Sequence, residues 1–267
     1  MKTNQPKLKQ LPDKTFTIDL ILTQDQIKSE HQKVLTSVQA DFETKGFRKG
    51  KVPLEIVKDQ VSEEKIIEEV ASHLISDAYS KFIKDNKLKP VIQPQIKVKN
   101  APIGLDKDWQ IEITSCELPP ITLDPKYTAE VAKINKKPKT DAALDEIFDQ
   151  LLKHTQVTLP SILVESDISN KMSQLIDQTE QAGITVSQYL KGKNQTLEVY
   201  KKTLADQITK EWTLNLIIDQ IAKDQKINIS PADAKALIEK TPQLADNPNL
   251  VYYLVQQQKV IDYLKNL

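Results

Sequence analysis

The sequence predicts an α+β N-terminal domain, helices with a small antiparallel sheet, followed by an all-α, elongated C-terminal domain. Three observations carry this reading. At 267 residues the chain passes the length at which a single core usually stops growing, so two domains or one elongated body are expected. Apolar residues alternate with period two at Phe16–Leu22 and again at Trp109–Ile113, the pattern of strands with one buried face. Beyond Thr140 the apolar residues recur at helical spacing instead. The expected boundaries are 1–118 for the first domain, 119–139 for an extended linker and 140–267 for the helical domain.

Within the first domain, Phe16, Ile18, Leu20 and Leu22 alternate with Thr17, Asp19 and Ile21 and define the first strand. Thr23 followed by Gln26 is a capping box, and Ile27, Val34, Val38 and Phe42 continue at helical spacing toward Gly46. After Pro53, Leu54, Ile56 and Val57 open one helix, and Ile66, Ile67, Val70, Leu74, Ala78 and Phe82 mark a longer amphipathic one. Leu88–Pro94 holds two prolines and is expected to be extended. It leads into a strand through Ile96 and Val98, a turn around Pro102-Ile103-Gly104, and a return strand through Trp109, Ile111 and Ile113. Trp109 and Trp212 are read as packing residues and assigned no site.

The stretch from Pro119 to Thr140 is proline-bearing and lysine-rich and reads as an extended connector with one short strand near Tyr127–Ile134. Helix starts are expected at Thr140, at Pro160 in a first turn, at Thr196, at Ser230 before Pro231, and at Asn247 before Pro248, giving five helices. The run from Leu197 to Lys226 places Leu197, Tyr200, Leu204, Ile208, Trp212 and Leu216 near one face. At 1.5 Å per residue it spans on the order of 45 Å. In the last helix, Tyr252, Tyr253, Leu254, Val260, Ile261 and Leu264 either line an apolar binding surface or seal the helical body, with the seal favoured.

Composition narrows the function. Lys plus Arg and Asp plus Glu both number 37, so contact with nucleic acid requires a local patch and not a global field. No apolar run spans a bilayer, and Met1–Lys14 is basic without the apolar middle of a secretory signal, so the expected location is the cytoplasm. The one cysteine, Cys116, fits a reducing compartment and reads as a buried structural residue. His31, His73 and His154 are far apart, so no metal-ligand or nucleophile motif is visible; Glu63, Glu64, Glu68 and Glu69 read as a solvated helix face. With five glycines and no phosphate-cradling loop, neither ATP dependence nor a cofactor is expected.

One segment stands apart. Gly46-Phe47-Arg48-Lys49-Gly50-Lys51-Val52-Pro53 holds two of the glycines and the only arginine. Gly46 and Gly50 permit positive φ and Pro53 fixes the exit, so a bent, stiff, basic loop with Phe47 as an apolar tip is expected. Spacing alone also allows a solvated helix–helix connection that happens to be basic. The segment resembles the Gly-Phe-Arg-x-Gly-Lys-x-Pro loop of the bacterial trigger factor family, matching at Gly46, Phe47, Arg48, Gly50, Lys51 and Pro53. Leu88-Lys89-Pro90-Val91 with Gln93-Pro94, and further on Leu159-Pro160, Leu163-Val164-Glu165 and the long helix after Thr196, are similar to other parts of that family.

The resemblance implies an ATP-independent, ribosome-associated holdase whose first domain binds the ribosome and whose helical, SurA-like second domain shields nascent chains. It implies Phe47, Arg48 and Lys49 as contact residues, within a site comprising Gly46, Phe47, Arg48, Lys49, Gly50, Lys51 and Pro53, with Lys45 and Lys58 extending the patch. The implied partners are the large ribosomal subunit at the exit tunnel, through ribosomal protein and rRNA, unfolded nascent polypeptides, and a second copy of the chain off the ribosome; no membrane, metal or cofactor is implied. Family members typically insert an FKBP-like prolyl isomerase domain between connector and helical body. Only about twenty residues separate Pro119 from Thr140, too few for it, so no enzyme activity is expected. The alternatives are a holdase free in the cytosol or exported, a prolyl isomerase as in full-length members, and an RNA-binding module.

Overall fold

A computed structural model of the chain describes residues 6–136 and 142–267. Two compact units emerge, one ending at Leu118 and the other running from Pro119 to Leu267. The first contains β1 (Lys7–Gln10), β2 (Thr15–Leu22), α1 (Gln24–Asp41), α2 (Leu54–Gln60), α3 (Glu63–Asp85), β3 (Gln95–Val98) and β4 (Trp109–Cys116). Its four strands are antiparallel in the order β1-β2-β4-β3. The expected hairpin is β3 with β4, and β2 joins it in the register Ile18 to Ile113.

That register puts Phe16, Ile18, Leu20 and Leu22 beside Trp109, Ile111 and Ile113 on one face, where they bury against Ile27, Val34 and Leu35 of α1 and Ile66, Val70 and Ile75 of α3. The opposite face is polar, with Lys9 and Lys99 bridging Asp19 and Lys99 also meeting Glu112. The capping box opens α1 as the sequence predicts, Thr23 Oγ1 accepting from the Gln26 N–H and the Gln26 carboxamide oxygen accepting from the Thr23 N–H. Trp109 is fully buried and donates its indole N–H to the Gly104 carbonyl at 2.7 Å. β1 has no counterpart in the sequence reading. All four of its residues are exposed, so it shows no buried alternation, and its lysines suit an unprotected sheet edge.

The second unit contains β5 (Thr122–Leu123), α4 (Tyr127–Asn135), α5 (Ala142–Lys153), β6 (Thr155–Gln156), α6 (Ser161–Gln181), α7 (Val186–Gly192), α8 (Leu197–Asp224), α9 (Pro231–Lys240) and α10 (Pro248–Lys265). Its main core joins Tyr127, Val131 and Ile134 of α4 to Ile147 and Leu151 of α5, Ile217, Ile218 and Ile221 of α8, and Val260 and Leu264 of α10. Trp212 lies half-buried on α8 and donates to Asp167 of α6 at 2.7 Å. Thr196, Ser230 and Asn247 cap α8, α9 and α10 as expected, with prolines in the first turns of the last two.

Several expectations are corrected. Residues 119–139 do not form an extended linker, because their described part contains β5 and α4 and contributes three residues to the core. The strand expected at Tyr127–Ile134 is this helix. Tyr127, Val131 and Ile134 stand at i, i+4 and i+7, and Asp124 receives the N–H groups of Lys126 and Tyr127 at its start. Pro160 is the N-cap of α6 and not a first-turn residue. α7 is additional; its signal is the capping box Thr185–Gln188. Seven α-helices therefore stand among the described residues of this unit, where five were expected. The start expected at Thr140 lies outside the described residues.

Candidate functional site

The loop between α1 and α2 is built as two successive turns folded back on the end of α1. In the first, the Phe47 N–H donates to the Thr44 carbonyl at 3.1 Å, with Gly46 at φ +90°. In the second, the Lys51 N–H donates to the Arg48 carbonyl at 2.9 Å, with Gly50 at φ +75°. Positive φ is close to free for glycine and costly for other residues. Gly50 carries a second requirement, since a Cβ there would lie 2.9 Å from the Ala40 carbonyl oxygen. A Cβ at Gly46 would meet nothing within 4 Å, so its requirement is conformational alone.

Two hydrogen bonds brace this loop against the end of α1, and one exposed ion pair lies beside them. The Gly50 N–H donates to the Phe42 carbonyl at 3.1 Å, the Gln39 side-chain amide donates to the Val52 carbonyl at 2.7 Å, and Lys49 Nζ meets Asp41 Oδ1 at 2.9 Å. Val52 is fully buried beneath them. Pro53, at φ −54°, turns the chain into α2, where its carbonyl accepts the Ile56 and Val57 N–H groups. The result is a braced platform. Phe47 stands 40% exposed at its tip, flanked by the exposed side chains of Lys45, Arg48, Lys49 and Lys51.

All seven residues singled out in the sequence, Gly46, Phe47, Arg48, Lys49, Gly50, Lys51 and Pro53, thus belong to one continuous surface feature. Lys58 is exposed at the last turn of α2. The sequence reading omits the anchors Gln39, Asp41 and Val52. Val52 was legible as the one aliphatic residue of a polar loop, whereas Gln39 and Asp41 look like ordinary exposed helix positions. The loop's charge is mixed: Lys45, Arg48, Lys49 and Lys51 share the segment with Asp41 and Glu43, and Lys49 is the cation that pairs with Asp41. The Asp41 carboxylate, with Glu43 adding a smaller effect, holds the Lys49 ammonium above its ordinary pKa.

His31 Nε2 pairs with Glu63 at 2.9 Å and His73 Nδ1 with Glu30 at 3.2 Å, separate contacts between α1 and α3. Among the described residues no group of three or more His, Cys, Asp or Glu side chains is placed to hold a metal ion. Burial, helped by nearby Asp13, pushes the Cys116 thiol up to about 11, so it stays protonated and unreactive near neutral pH. No helix among the described residues is long and apolar enough to cross a membrane. In α10, Val260 and Leu264 are sealed into the core, Tyr253 donates to Asn215 at 2.6 Å, and Tyr252 is left 55% exposed.

Residues 1–154 match the family described as "Bacterial trigger factor protein (TF)", and residues 122–267 match "Bacterial trigger factor protein (TF) C-terminus". Similar curated proteins include the trigger factor of Streptococcus pneumoniae (strain JJA), 35% identical over 136 residues, and that of Streptococcus mutans serotype c (strain ATCC 700610 / UA159), 33% identical over 136 residues. Each alignment spans 51% of this chain and 30% of the relative. The fold is similar to that of a solved chain described as "Promiscuous Substrate Recognition in Folding and Assembly Activities of the Trigger Factor Chaperone", with a TM-score of 0.66, 10% identity, and coverage of 98% of this chain and 99% of that one. The α+β first unit carrying the Gly-Phe-Arg loop, the helical second unit and the two family matches lead to one assignment: the chain belongs to the bacterial trigger factor family of chaperones.

Proposed function

We propose that this chain is an ATP-independent holdase of the cytoplasm that docks on the large ribosomal subunit near the exit tunnel and shields nascent polypeptides. The observation that supports docking is the braced loop, which presents Phe47, Arg48 and Lys49 on a backbone fixed at both ends. Phe47 supplies an apolar anchor, Arg48 a planar fork suited to bidentate pairing with carboxylate or phosphate, and Lys49 and Lys51 mobile point charges. Such a set meets both ribosomal protein and rRNA, and its phosphate share makes binding salt-sensitive. Bracing lowers the ordering cost of binding.

Shielding is the task of dispersed apolar surface. In the second unit Ile176, Ile184, Leu197, Val199, Leu250 and Tyr252 are exposed. Weak contacts of this kind hold an unfolded segment without trapping it, and docking raises the effective concentration of chaperone beside the emerging chain. Off the ribosome, a second copy of the chain is the expected partner. Prolyl isomerisation is not part of the proposal.

Co-sedimentation with vacant bacterial ribosomes, at low and moderate salt, tests docking. The native chain is expected to pellet with ribosomes, more weakly as salt rises, and the Phe47→Ala/Arg48→Ala/Lys49→Ala variant to stay in the supernatant. Equal pelleting of both proteins, or of neither, would overturn docking through this loop and leave a free holdase.

A further inference from the structure

The four cations of the loop are not equivalent. Among the described residues Lys45, Arg48 and Lys51 form no ion pair, whereas Lys49 Nζ sits 2.9 Å from Asp41 Oδ1. Asp41 is the final residue of α1, whose last turn contains no basic residue. A carboxylate there opposes the negative end of the helix dipole and draws in a cation. The backbone delivers one: the Gly50 N–H is bonded to the Phe42 carbonyl, so residue 49 is held next to the helix end.

We infer that Asp41 is an intramolecular competitor for Lys49, so that docking exchanges the Lys49–Asp41 pair for a pair between Lys49 and an anionic group on the ribosome. The inference rests on the ribosome-docking reading and names a residue that tunes it. Both side chains are open to solvent, 59% for Lys49 and 81% for Asp41, so the exchange needs no rearrangement of the core. For the same reason the pair is weak, and Asp41 sets the affinity of docking without locking the loop shut. Salt loosens the internal pair along with the external one, so Asp41 also flattens the salt response of binding. Arg48 and Phe47 remain free to make first contact while Lys49 is still held.

The test is the equilibrium dissociation constant of the full chain for vacant ribosomes, measured for the native protein, Asp41→Asn, Lys49→Ala and the double variant across a salt series. Asp41→Asn is expected to bind about two- to fivefold tighter at low salt, the size of effect one exposed ion pair allows. The gain should shrink as salt rises and vanish in the Lys49→Ala background. A gain of equal size in both backgrounds would mean that the substitution merely removes a repulsive charge, and overturns the competitor role. No gain in the native background overturns it as well. If the native chain itself does not bind, ribosome docking falls and this inference with it; if the native chain binds and Asp41→Asn binds identically, only the role of Asp41 falls. Because Asp41 is exposed, Asp41→Asn is expected to melt like the native chain by circular dichroism, so a change in affinity reads the pair and not the fold.

Discussion

Gly46 and Gly50 separate two reasons for a glycine. Both hold positive φ, but the space around Gly46 is empty while the Cβ of any residue at position 50 would strike the end of α1. Gly46→Ala is therefore expected to cost about 1 kcal/mol, the penalty of a left-handed conformation alone. Gly50→Ala adds a contact with the Ala40 carbonyl, which belongs to helix backbone and yields little, so a loss of about 2–3 kcal/mol is expected. Urea unfolding of the two variants, followed by a probe of the first unit, checks the ranking; equal losses would show that position 50 accommodates a side chain. The motif's glycines were legible from the sequence as turn residues. Their inequality was not, because it depends on where Ala40 comes to rest.

The order of elements in the first unit was legible because its strands are half-buried and its long helices amphipathic, so burial writes period two and period 3.6 into the chain. β1 escaped because an edge strand with no buried side chain writes neither. α4 escaped for a different reason. Its flanking prolines and lysines imitate a linker, and Tyr127, Val131 and Ile134 are too few to outweigh them until the partners on α5, α8 and α10 are known. The braced loop was likewise only half legible: its glycines, cations and Phe47 stand in the motif, while its ties to Gln39 and Asp41 cross from loop to helix and leave no periodic trace. The placement of α4 has a measurable consequence. Val131 is fully buried, so Val131→Ala is expected to destabilise the second unit by about 1–3 kcal/mol in denaturant unfolding. An unchanged midpoint would return residues 127–135 to the role of a solvated connector.

The surfaces proposed for docking and for shielding belong to different units, so the two proposed activities are separable by mutation. Phe47, Arg48 and Lys49 are confined to the α1–α2 loop, whereas exposed apolar residues such as Ile176, Val199 and Tyr252 are spread over three helices of the second unit. With ribosomes absent, the triple loop variant is expected to suppress aggregation of a denatured client as well as the native chain does, since neither needs an anchor. Single replacements of Ile176, Val199 or Tyr252 are expected to change suppression little, because no one contact dominates a dispersed surface. The same assay separates holding from isomerisation. A prolyl isomerase of the FKBP type requires an aromatic-lined pocket, yet Phe16 and Phe82 belong to the first core, Phe148 packs on the second, Phe42 closes α1 and Phe47 is the loop tip. Under the proposed holdase reading, a client whose refolding is limited by proline isomerisation is expected to aggregate less but refold no faster. Acceleration of the slow phase at substoichiometric chain would refute this division, and loss of aggregation suppression in the loop variant would place client binding on the docking loop itself.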